Sequence, residues 1–428
     1  MSRALYLQQF KNISRTKNRQ NESFTAENSY HKNFEYKNFK KFRLKCVESA
    51  KVLRSEIKAQ KLEAIDIVFA KNDLPDFEEL AKKIAVYKKV LVLGVGGSSL
   101  GGKTLSALKF QNRLEFLESI DPETVKNCLT KTDLKNTFFL VISKSGETIE
   151  TICQTLIIID AIKRAKISDF GSRFLFITES DINSLAKIAK KIGAPIVNHP
   201  QAIGGRYSCF SIVGLLPASL AGLEVKKIRA GARKILNNFL TKDDIVSSCA
   251  IQLALYEQGF TNNVIMPYID NLKNFTDWYR QLWAESLGKN NFGSVPINSM
   301  GTIDQHSQLQ LYLEGPRDKF FTFLTQKNNP HDFLIKDLAG CKTLFGSKKL
   351  SKIIRIEQET TIAVLSKKKL PVRIFKIEKL DEEVLGGLMM QMFLETILIA
   401  YVKKIDPFNQ PAVELRKELA KKILKQNA

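Results

Sequence analysis

The chain has 428 residues, 44% hydrophobic and 26% charged, close to soluble globular averages, which excludes wholesale disorder, a collagen-like repeat and a multi-span membrane protein. At about 150 residues per domain, that length suits two or three domains with cores of their own. Sixty-six Lys and Arg against 44 Asp and Glu give a net charge of +22, which favours nucleic acid, membrane surfaces or phosphorylated substrates; the cations form no single block, so compositional bias is the simpler reading.

Residues 1 to about 50 are polar, with Phe34, Tyr36, Phe39 and Phe42 set among Lys37, Lys40, Lys41 and Arg43. Basic residues mixed with aromatics can stack nucleic-acid bases. The spacing of Phe39, Phe42 and Cys46 instead predicts a helix that caps a domain core, with no nucleic acid implied. The first residues lack the apolar stretch of a signal peptide.

Strand-like runs follow at VLVL (90–93), FFLVIS (138–143), FLFIT (174–178) and PIVN (195–198). A Gly-rich turn and a helix from about Lys103 come after the first. The second leads through KSGET into a helix with Ile149, Ile152, Leu156 and Ile159 on one face. This alternation predicts a parallel sheet covered on both faces. Long helical stretches run from GGRYS (204–208) to about Gln258. Strand-like NVIMPYI (263–269), FFTFLT (320–325) and VRIFKI (372–377) then alternate with helices. The expected fold is α/β: a polar, helical segment 1–50, then two tandem α-β-α sandwiches with mainly parallel sheets, 51–203 and 204–428, the second ending in a C-terminal helix.

Val384 to Val402 imitates a membrane span, but Gln391 and Glu395 lie within it. A carboxylate at a bilayer centre costs about 3 kcal/mol on insertion scales, so a buried core helix is expected and no membrane partner. The six cysteines form no CxxC pair, which gives no support to a zinc or dithiol site. A reducing, cytoplasmic setting fits them.

GSSLGGKT (97–104) matches the pattern of a P-loop, and LIIID (156–160) resembles the strand that brings a magnesium-binding Asp. Two features oppose an NTPase. Gly94, Val95 and Gly96 intervene between the strand and the supposed loop, and LIIID continues a helical face, which places Asp160 on a helix. The dinucleotide fingerprint fails at Ser99. What remains is a Gly/Ser-rich loop at a helix N-terminus, suited to an anion, with Gly97 and Ser98 as candidates. Ser143, Lys144, Ser145 and Thr148 supply a second loop of hydroxyls and one ammonium. Two such loops at successive strand ends favour a phosphate group, because open α/β sheets bind ligands there.

GVGGSSLG (94–101), SKSGETIET (143–151), GGRYS (204–208), QLWAESLGK (281–289), GTIDQHS (301–307) and QPAVELRK (410–417) stand in this order. Together, over residues 85 to 425, they resemble the phosphoglucose isomerase family in its compact bacterial form. The resemblance implies two sugar isomerase (SIS) domains and interconversion of glucose 6-phosphate and fructose 6-phosphate through a cis-enediolate, with no cofactor and no metal. It also implies a homodimer.

The site roles come from the same resemblance. Glu285 is the base that moves a proton between C1 and C2, and Gln281, one helical turn earlier, binds substrate. Arg206 stabilises the enediolate, with Glu150 as a supporting ion-pair partner. His306, the only one of four histidines inside a matched block, acts on the ring oxygen from the neighbouring subunit. Gln410 faces the phosphate and Lys417 the ring hydroxyls. Ala412 and Arg416 replace glycines common in the last block, which leaves a dual phosphoglucose/phosphomannose activity open. A non-catalytic sugar-phosphate sensor is the alternative from another class. It would need the phosphate loops but not Glu285, Arg206, His306 and Lys417 together.

Overall fold

The computed structural model describes residues 24–27 and 38–426, apart from 111, 112, 169 and 180. His31, Phe34, Tyr36 and Lys37 lie outside the described residues. The ten strands among the described residues are β1 (Phe24–Glu27), β2 (Lys89–Leu93), β3 (Leu114–Leu117), β4 (Thr137–Ile142), β5 (Phe174–Thr178), β6 (Ile196–Asn198), β7 (Asn262–Pro267), β8 (Val295–Asn298), β9 (Lys319–Gln326) and β10 (Val372–Ile377). They form two sheets, ordered β3-β2-β4-β5-β6 and β1-β10-β9-β7-β8. Every pairing is parallel except β1 on β10. The expected α/β architecture is present.

Continuous apolar runs make the first sheet buried on both faces, as parallel sheets require. Alternate residues go to different cores. Val90, Val92, Phe138, Leu140, Leu175 and Ile177 face the large central core. Leu91, Leu93, Phe139, Val141, Phe174 and Phe176 face a second core under the helices Ile149–Arg164 and Ser184–Ile192. The second sheet divides likewise, Ile265, Leu324 and Phe375 facing inward and Val264, Phe321 and Ile374 outward. One core therefore runs from sheet to sheet.

The helix Phe39–Lys58 buries Phe42, Cys46, Ala50, Leu53 and Ile57, spaced as one helical face. It packs on the helix Asp244–Glu257 and runs unbroken past residue 50. Strand β1 joins the second sheet. The helix Ile149–Arg164 departs from its expected face. Leu156 is exposed, while Thr151, Gln154, Thr155, Ile158 and Ile162 are buried with Ile159. Two of these polar side chains keep hydrogen bonds in the core: Thr155 donates to the Thr151 carbonyl (2.7 Å) and Gln154 to that of Ser119 (3.1 Å).

The apolar segment near residue 390 is the helix Glu382–Val402, buried almost throughout. Its Glu395 is fully buried and receives both Nη atoms of buried Arg373, with further hydrogen bonds from Gln391 (2.6 Å), Gln252 (3.0 Å) and Ser248 (3.1 Å). Removing one partner of such a pair strands a buried charge, which costs about 3–5 kcal/mol. Glu395→Ala is therefore expected to lower the urea midpoint markedly, and the double variant Arg373→Leu/Glu395→Leu to recover much of the loss. Equal midpoints for Glu395→Ala and the parent would refute this role.

Candidate active site

Strands β2 and β4 are parallel neighbours, so the loops that follow them open on one edge of the first sheet. After β2 the chain turns through Gly94–Ser99. Gly96 has φ +60°, and a Cβ there would lie 3.0 Å from Gln281 Nε2. A side chain would be strained by the backbone and would displace Gln281. Gly97 packs on the Gly205–Arg206 backbone, where a Cβ would come within 2.3 Å. This contact brings the two glycine loops together.

The second loop is closed by a hydrogen bond of 2.8 Å between Ser143 and Thr148 hydroxyls. Gly146 has φ +64°, and its N–H donates to the Ser143 carbonyl (3.1 Å). Ser145 is exposed, and Glu147 turns away to accept from the backbone and hydroxyl of Ser184. Lys144 does not stand free. Its ammonium donates to the Gln201 carbonyl (2.5 Å) and lies 3.9 Å from Glu179.

Arg206, 2% exposed, is the centre of the arrangement. Nε donates to Ser286 Oγ (2.8 Å); Nη1 donates to Glu285 Oε2 (3.2 Å) and Gln410 Oε1 (2.6 Å). Nη2 donates to the carbonyls of Pro407 and Asn409. All five N–H groups are engaged. The expected ion pair with Glu150 is not formed, because Glu285 and the 407–410 turn take the donors that it would have used.

Glu285 stands on the helix Lys273–Leu287, half-buried, and its other oxygen accepts from Gln281 Nε2 (3.0 Å). A carboxylate can only accept, so Gln281 turns its amide nitrogen to Glu285. Arg206 can only donate, so Gln410 turns its oxygen to Arg206, and its NH2 has no partner among the described residues. The carboxylate is thus held by two donors that also contact the loops.

Two expected residues stand apart. His306 ends the short turn Ile303–Gln305 beyond β8, exposed, and its ring has no partner among the described residues. Lys417 is exposed on the helix Pro411–Gln426 and pairs with Glu414 (2.7 Å). The P-loop match is structural: Lys103 and Ser99 both bond Glu118 (2.5 and 2.6 Å), and Thr104 donates to the Asn274 carbonyl. Asp160 lies within a helix and pairs with Arg164.

Ser286 and Lys289 escaped sequence reasoning as site members, although both lie within QLWAESLGK. The carbonyls of Pro407 and Asn409, which Arg206 uses, and of Asp406 and Asn409, to which Lys289 donates, leave no side-chain signal at all.

The sequence model of the family described as Phosphoglucose isomerase matches residues 79–428. The chain belongs to the phosphoglucose isomerase family. It is 34% identical over 353 residues to the glucose-6-phosphate isomerase of Methanocaldococcus jannaschii, covering 81% of this chain and 86% of that one. It is likewise 34% identical to the glucose-6-phosphate isomerase of Rubrobacter xylanophilus, covering 76% and 80%. Among solved structures, a hypothetical protein from Thermus thermophilus superposes with a TM-score of 0.85 at 25% identity, covering 94% of this chain and 99% of that one. A glucose-6-phosphate isomerase from Chlamydia trachomatis shares the fold, with a TM-score of 0.79 at 18% identity over 95% and 89%.

The loop contacts can be tested at two positions. Gly97→Ala must part the two glycine loops, and a displacement near 1 Å at a reacting centre can cost about 10²-fold. Steady-state kinetics of the folded variant should show a loss of that order in kcat/KM; parent-like kinetics would mean that the contact is dispensable. His199, beside the Lys144 loop, is buried, its Nδ1 on the Pro200 carbonyl, and burial pushes its pKa down to about 4. The unfolded chain then binds the extra proton, so stability falls as pH drops from 6.5 toward 4. His199→Gln should flatten the fall of the urea midpoint over that window, and an unchanged slope would exclude the histidine as its source.

Proposed function

We propose that this isomerase interconverts glucose 6-phosphate and fructose 6-phosphate with Glu285 as the carrier of the proton. The observation that carries the proposal is the Glu285 carboxylate, held between Gln281 and Arg206 beside the two loops. In this reading the phosphate is bound by Ser98 with Ser143, Lys144, Ser145 and Thr148, through hydroxyl and backbone donors at the strand ends. Lys144 exchanges the Gln201 carbonyl for the phosphate. Gln410 offers its amide donors to the same group.

Glu285 takes the proton from C2 of the open-chain aldose and returns it to C1, while the O2 hydroxyl proton passes to O1, forming the ketose. The enediolate between these steps carries negative charge, which the buried guanidinium of Arg206 stabilises. Because every Arg206 donor is engaged, it acts through its charge unless Gln410 or Glu285 yields a place. His306 and Lys417 open the ring. Both are exposed in their own chain, and His306 is supplied by a second copy, so the working unit is a homodimer. Leu415, Leu419, Ile423 and Leu424, exposed on the helix Pro411–Gln426, are apolar surface available for such an association. A cytoplasmic setting agrees with six free cysteines.

The test is isomerisation of fructose 6-phosphate in a coupled assay, without added metal or nucleotide, followed in deuterated water. Glu285→Gln keeps shape and binding but cannot take a carbon-bound proton. Turnover and deuterium uptake at C2 should fall at least about 10²-fold. A variant that turns over like the parent would remove Glu285 from this role. Turnover of mannose 6-phosphate by the parent would widen the substrate class, and an inactive but folded parent would favour a sensor.

A further inference from the structure

The turn Asp406–Gln410 is held by two cations from different parts of the chain. Arg206 bonds the carbonyls of Pro407 and Asn409 and the side chain of Gln410. Lys289, two residues beyond the helix that carries Glu285, donates to the carbonyls of Asp406 (2.5 Å) and Asn409 (2.7 Å). The Asn409 oxygen therefore accepts from both. Bringing two like charges to one carbonyl is unfavourable unless the anions and dipoles around them compensate. Here the Glu285 carboxylate bonds Arg206, and the side chain of Asp406 caps the turn from within by accepting from the Phe408 N–H (2.8 Å).

Arg206 already has all of its donors engaged, so it cannot take over the Asp406 carbonyl if Lys289 is lost. The ring of Phe408 rests 5.3 Å from that of Tyr207, centroid to centroid, which fixes the middle of the turn. The carbonyl at its start, that of Asp406, is bonded by the Lys289 ammonium. Burial, with Arg206 nearby, holds the Lys289 ammonium below the usual lysine range, which agrees with an ammonium partly withdrawn from water to serve carbonyls.

We propose that Lys289 is a positioning residue: by tying the Asp406 and Asn409 carbonyls it sets the turn from which Gln410 reaches both Arg206 and the substrate phosphate. The inference rests on the reading of Gln410 as a phosphate ligand. It assigns no contact between Lys289 and substrate.

The experiment is a double-mutant cycle on the full chain, with 6-phosphogluconate as the titrated probe and thermal midpoints recorded alongside. Lys289→Met should weaken binding about tenfold, the scale of one charge-assisted hydrogen bond. It should raise KM for fructose 6-phosphate more than it lowers kcat. Gln410→Ala should weaken binding as well, and Lys289→Met/Gln410→Ala should bind no worse than Gln410→Ala alone. Lys289→Arg, which keeps a cation at the turn, should restore affinity to within about threefold of the parent. If Lys289→Met does not fold, Lys289→Gln carries the same comparison. Parent-like affinity in Lys289→Met beside a weakened Gln410→Ala overturns the positioning role alone. Additive losses overturn it too, since Lys289 would then act independently of Gln410. Parent-like affinity in Gln410→Ala overturns the phosphate role of Gln410 and the inference with it.

Discussion

The buried guanidinium of Arg206 is the constraint on which the site depends. It joins three segments far apart in sequence: the GGR loop, the helix Lys273–Leu287 and the turn before the C-terminal helix. A guanidinium out of water is costly unless all its donors are met, and here each has an oxygen. Moving any one of the three segments would leave a buried donor unpaired. The cost of that mismatch keeps the carboxylate of Glu285, the amide of Gln410 and the glycine loops in one geometry. A lysine could not do this, because its three donors lack the planar fork that reaches three directions from one buried point.

Glycine chemistry makes the same geometry possible from the other side. Gly97 and Gly205 let two backbones touch, and Gly96 leaves room for the Gln281 amide. A Cβ would strike backbone at 2.3 Å at Gly97, and would crowd its neighbours at 3.3 Å at Gly205 and 3.0 Å at Gly96. The loops thus act as a template for Arg206 as well as the proposed cradle for the phosphate. Both roles draw on the same edge of the sheet, where β2 and β4 end together.

Much of this was legible in the sequence. The parallel sheets show as uninterrupted apolar runs, because a strand covered on both faces has no polar side to display. The loops show as glycines and hydroxyls after those runs. The buried face of the helix Ile149–Arg164 was not legible, since Thr151, Gln154 and Thr155 enter the core, Thr155 with a hydrogen bond inside the helix and Gln154 with one to the Ser119 carbonyl of another segment. Strand β1 was hidden for a different reason. Four residues, FTAE, are too few for a periodic signal, and their pairing with β10 spans most of the chain. The partners of Arg206 were hidden because three of the groups around it and Lys289 are main-chain carbonyls, which every residue carries. The choice of Glu285 over Glu150 depends on which helix faces the guanidinium, a tertiary fact.

Charge at the site is organised differently from charge on the surface. The net +22 is spread along the chain, and many of its cations are exposed, where pairing with a carboxylate contributes little. At the site, one guanidinium and one ammonium are partly or wholly withdrawn from water and set beside two carboxylates, Glu285 and Asp406. A potential in that setting is felt over short distances and is weakly screened by salt. In the proposed mechanism the buried guanidinium, fixed before substrate arrives, favours the state in which the sugar becomes an anion, with no reorganisation required at that moment. The carbonyls of the 406–410 turn complete this balance. They satisfy the cations without adding negative charge, so the guanidinium is held in place where the proposed mechanism needs it for the enediolate.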